Sequence, residues 1–166
     1  MISLVFFFAL SFTTPNVNPT VSLPQIRSMY MKANESEKIC KDLITLLKPY
    51  DESNNPLFMG YKAGANMIMA KHSMNPISKM SWFNKGKKML ETAIQANNKD
   101  VELRCLRFGI QSNVPSFLSY KQDIQKDKKF ILQSYPHVQD ATLKTNIVSY
   151  LTKWGDLTQA EKALLK

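Results

Sequence analysis

Apolar residues along the chain recur at intervals of three and four, and no stretch alternates strictly for the length of a strand. Ile26, Tyr30 and Ala33 keep the helical interval, and Asn34 or Ser36 then stands as N-cap of a run over 37–48. In that run Ile39, Leu43, Leu46 and Leu47 form one stripe, and Pro49 ends it. Asn55-Pro56 predicts the next start, with Asn55 as cap and Pro56 in the first turn. This helix runs to about Ser73 and carries Leu57, Gly60, Tyr61, Gly64, Ala65 and Ile68 on a face that ends at His72. Glycine in a helix costs about 1 kcal/mol against alanine, so Gly60 and Gly64 predict the close approach of another helix.

Met74-Asn75-Pro76 breaks the pattern again. The helix that follows has Met80, Phe83, Gly86, Leu90, Ala93 and Ile94 on one side and Lys79, Lys85, Lys87 and Lys88 on the other. Residues 101–112 are apolar nearly all round, which marks a central helix, and their polar stripe is Arg104, Arg107 and Gln111. Pro115 is expected to open a helix with Phe117, Leu118, Ile124 and Ile131 inward and Lys121, Lys126, Lys128 and Lys129 largely outward. Pro136 separates a further helix around Leu143, Ile147, Val148 and Leu151, and a short amphipathic tail follows Gly155 with Asp156 or Thr158 as cap. The expected fold class is all-α, an array of six to seven helices packed as antiparallel hairpins.

The segment 86–102 resembles the second half of a tetratricopeptide repeat: a small residue (Gly86), a bulky one four later (Leu90), Ala93, then the turn Asn97-Asn98-Lys99-Asp100 and a new helix at Val101-Glu102. Met59-Gly60 with Tyr61 is similar to the first helix of that repeat. No second copy occurs at the family period of about 34 residues. The resemblance implies helical-hairpin packing and a peptide-binding groove. The chain as a whole is similar to exported helical proteins of bacteria, which implies no particular activity.

Composition extends this picture at one place, the amino terminus. The apolar run over 2–12 has the length of a signal-peptide core and is too short to cross a bilayer, which takes roughly 20 residues. Residues 1–19 therefore read as a signal peptide or disordered leader, residues 20–166 as one all-α domain, and the protein as exported, to the periplasm or cell envelope. Cys40 and Cys105 both lie on apolar helical stretches, so an exported chain has them either joined or buried as free thiols. Of nine methionines, Met67, Met69, Met74, Met80 and Met89 are expected to be core.

The formal net charge is +9, and the excess is local. Residues 27–52 hold five basic and five acidic side chains, whereas residues 53–100 hold seven and two. A one-sided basic surface suits an anionic lipid or polysaccharide. Nucleic acid is disfavoured, because the excess is lysine rather than the arginine fork that reads bases and phosphates.

Chemistry-bearing motifs are sparse. HExxH, CxxC, a glycine-rich phosphate loop and a nucleophile elbow are all missing from the sequence. No catalytic, metal-binding or cofactor-binding set is assigned, and the expectation is a non-enzymatic module that binds another protein or peptide, or, as the alternative, anionic lipid or polysaccharide. The candidate binding surface comprises Tyr61, His72, Lys85, Lys88, Arg104, Arg107, Gln111 and Lys121. For Arg104 and Arg107 a second reading stands beside it: two guanidiniums on an apolar helix either grip an external carboxylate or phosphate, or pair with Asp123 or Asp127.

Overall fold

Side-chain caps decide where most of the helices begin. In the computed structural model, which describes residues 21–165, Ser22 caps α1 (Leu23–Ala33), Ser36 caps α2 (Glu37–Leu46), Asn55 caps α3 (Pro56–His72) and Asn75 caps α4 (Pro76–Ala96). Asp100 caps α5 (Val101–Asn113), and α6 (Ile124–Ser134) follows without a side-chain cap. Asp140 caps α7 (Ala141–Trp154), and Thr158 forms a reciprocal capping box with Glu161 at α8 (Gln159–Ala163). Each oxygen takes an N–H that the first turn of its helix cannot satisfy internally. The described residues contain no strand, so the fold is all-α, with eight α-helices where six to seven were expected. The leader expected at 1–19 lies outside the described residues.

Glycines let the helices approach. A Cβ on Gly86 would stand 2.5 Å from the carbonyl oxygen of Ala63, so α4 lies directly on the backbone of α3. Gly60 faces Leu103 of α5, and Gly64 faces the ring of Tyr30 on α1, as the pair of glycines predicted.

Two apolar clusters result. One gathers α1 to α4 with Leu103, Leu106 and Tyr120; the other gathers Cys105 and Phe108 with α6, α7 and their flanks. α5 supplies both, because its apolar side chains point in more than one direction. Both thiols are free and buried, one in each cluster, and the Cys40 thiol donates to the carbonyl of Ala65. Burial pushes the Cys40 thiol up to about 11, and burial, then the nearby Glu102 carboxylate, puts Cys105 well above its ordinary value.

Three expectations need correction. Pro115 does not open a long helix: Ser116–Leu118 form one 3-10 turn, Ser119 adopts φ 48°, and α6 starts only at Ile124. Phe117, expected inward, is 79% exposed as a result. Lys128, expected outward, is buried, because α8 folds over it and gives it Glu161 at 3.0 Å. Met74 and Met80, expected in the core, are exposed, whereas Met59, Met67 and Met69 are buried.

Candidate functional site

α5 winds about 100° per residue, which puts Glu102 roughly opposite Arg104 and Arg107. These positions point into the two seams between the apolar clusters, and each seam is filled by a charged network. In the first, Arg27 of α1 meets both oxygens of Glu102, Nε at 2.6 Å and Nη2 at 2.7 Å. Its Nη1 donates to Asp140 at the start of α7, at 2.8 Å, and the Tyr61 hydroxyl donates to Glu102. The hydrogen bond to Glu102 holds Arg27 firmly charged against the opposing effect of burial. Burial first, and the Glu102 carboxylate second, keep the Tyr61 phenol protonated.

The second network is larger. Asp127 of α6 has no exposed surface and accepts from Arg107 Nε at 2.6 Å, Arg107 Nη2 at 2.8 Å and Arg104 Nη1 at 3.1 Å. Arg107 Nη1 also reaches Glu91 of α4 at 2.6 Å and Asp123 at 3.5 Å. Glu91 takes the Tyr120 hydroxyl as well, and Nε and Nη2 of Arg104 donate to the carbonyl of Asn98. Arg107 loses solvation on burial, yet the carboxylates of Asp127, Glu91 and Asp123 outweigh that loss and hold it charged. Gln111, fully buried, accepts from the backbone N–H of Asp123 at 3.0 Å and so fixes the entry to α6.

Of the eight candidate surface residues, Tyr61, Arg104, Arg107 and Gln111 are therefore interior. They cannot form a contact surface, and the pairing of Arg104 and Arg107 with Asp127 and Asp123 is the second of the two readings. His72 is half-buried and bonds through Nε2 to the carbonyl of Ala33 at 2.8 Å, tying the end of α3 to the end of α1. Lys85, Lys88 and Lys121 are exposed. Two open surface depressions, one along α7 beside Tyr135 and one between α6 and α8, contain none of the eight. Among the described residues no group of three or more His, Cys, Asp or Glu is arranged to hold a metal.

What remains at the surface is the outer side of α4. Ile77 is 82% exposed, Met80 lies one turn further on, and Met74 just before the helix is 92% exposed. Lys79, Lys85 and Lys88 are exposed along the same helix. Tyr120 brings its own turn alongside: its ring stacks edge-on against Phe83, with 6.0 Å between centroids, and Lys87 Nζ sits 4.8 Å above it. Phe117 and Lys121, on either side of Tyr120 in sequence, are exposed. The lysine stripe was visible in the sequence; the bare apolar residues were missed, although Met74 and Ile77 frame Asn75-Pro76, where a helix has no neighbour upstream to cover it.

Comparison of the chain with protein-family models, with curated proteins and with solved structures returns no match.

Proposed function

We propose that the chain is a non-enzymatic, exported helical binding domain that works through the outer side of α4. The observation that carries this reading is that exposed Ile77 and Met80 share one side of α4 with exposed Lys85 and Lys88, with Met74 bare just before the helix. Large apolar side chains left bare together commonly mark an interaction site. The binding reading over catalysis is supported by the two networks, whose acids and bases are bonded to one another, with Arg27, Glu102, Arg104, Arg107 and Asp127 buried. Export rests on the apolar run at 2–12.

The peptide groove implied by the repeat resemblance draws no support from the α3–α4 seam, which is closed where Gly86 lies on Ala63. A protein or peptide partner would have to lie across the outer side of α4 instead. A photo-crosslinking residue placed in cells at position 77 or 88 is expected to give adducts that the same residue at position 38, on α2, does not. Equal labelling from all three positions, or none from any, would overturn the reading.

A further inference from the structure

We infer that the partner of this α4 surface is an anionic lipid membrane, which α4 meets at its amino-terminal end; the inference rests on the reading of α4 as the binding surface. Three observations lead there. First, acids are missing where the lysines are: none occurs between Glu52 and Glu91, and none between Glu102 and Asp123. Glu91 itself is occupied by Arg107 and Tyr120. Second, Lys79, Lys85, Lys87 and Lys88 have no ion-pair partner among the described residues, whereas Lys38 and Lys41 on α2 pair with Asp42 and Glu37 at 2.7 and 2.6 Å. Nor are the α4 lysines placed for the helix dipole, which favours cations in the last turn; α4 has none there and no acid in its first turn. Their charge thus meets no carboxylate among the described residues, although Lys85 and Lys87 lie over the rings of Trp82 and Tyr120.

Third, the same end of α4 bares Met74, Ile77 and Met80. A polysaccharide or other water-soluble polyanion would use the lysines and leave these side chains wet. A membrane interface uses both, since apolar side chains enter the headgroup boundary while lysines stay at the anionic surface. No described helix is long and apolar enough to cross a membrane, so α4 would lie on the surface.

The test measures co-sedimentation of the full chain with vesicles of phosphatidylcholine alone and of phosphatidylcholine mixed with phosphatidylglycerol. Phosphatidylglycerol is expected to strengthen binding, and added salt to weaken it. Each surface lysine is worth about fivefold in binding, so K85E/K88E is expected to lower it at least about twenty-five-fold. K126E/K129E on α6, with the same change in net charge, is expected to stay within about twofold. I77S/M80S is expected to lower binding at constant charge, with thermal melts confirming that both α4 variants fold. The proposal is overturned if phosphatidylglycerol has no effect, if reversals on α4 and α6 act alike, or if I77S/M80S binds as the parent does, the mark of a simple polyanion site. The leader is present in every variant, so binding by residues 1–19 would show no α4 dependence and would likewise overturn it. Should vesicle binding fail while position 77 still crosslinks to a protein, the lipid inference falls and the α4 reading stands. Should crosslinking fail too, both fall.

Discussion

α5 and α4 stand side by side and treat charge in opposite ways. On α5, Arg104, Arg107 and Glu102 are buried and every one is bonded to an oppositely charged group. On α4, four lysines have no oppositely charged partner among the described residues, unlike Lys38 and Lys41 on α2. The difference is set by solvent. A buried ion without its partner costs several kcal/mol, so interior charges must come in matched sets. An exposed lysine faces no such demand, and its surroundings are free to answer to something outside the molecule.

The comparison can be broken at the interior first. Asp127→Ala would leave two buried guanidiniums without their shared carboxylate, and is expected to lower unfolding free energy by about 3–5 kcal/mol in urea melts. Gly86→Ala presses a methyl against the Ala63 carbonyl and the Met67 side chain, and is expected to cost about 1–3 kcal/mol by the same measurement.

Acid should act more gently. The backbone N–H of Leu143, then Arg27, holds the Asp140 carboxyl below its usual range, and the N–H of Thr158, then Lys128, does the same for Glu161. Groups depressed on folding stabilise above the unfolded carboxylate range near about 4 and lose that effect as pH falls through their folded values. Stability is therefore expected to decline below about pH 4, with a shallower decline in Asp140→Asn, read from midpoints of thermal melts. The smallest effect belongs to the surface: K85E/K88E is expected to shift unfolding free energy by no more than about 0.5 kcal/mol. A large loss there would show that α4 lysines are structural, and the contrast between the two helices would collapse.

Local signals read well in this sequence. Ser36, Asn55 and Thr158 cap as their positions suggested, because capping depends on the next two or three residues only. Asp123 and Asp127 were legible as partners for the arginine stripe, since they sit at the start of the next helix. Arg27 with Glu102 was not, because seventy-five residues separate them and nothing local announces the pair. Lys128 failed for the same reason: its burial depends on a tail some thirty residues on. The turn after Pro115 failed differently, since a proline at a helix start looks identical whether or not Tyr120 is then drawn away to Glu91. On the surface, the sequence placed Lys85, Lys88 and Lys121 outward but did not show which apolar residues lack a neighbour, which only the packing of other helices decides.

α5 belongs to both apolar clusters and anchors both networks. Neither half of the molecule can open without stripping α5 of one side of its contacts. The amide hydrogens of α5 should therefore exchange with solvent only when the whole described region unfolds, while those of α8 and the Ser116–Leu118 turn exchange through local openings. The central helix makes the two halves one cooperative unit.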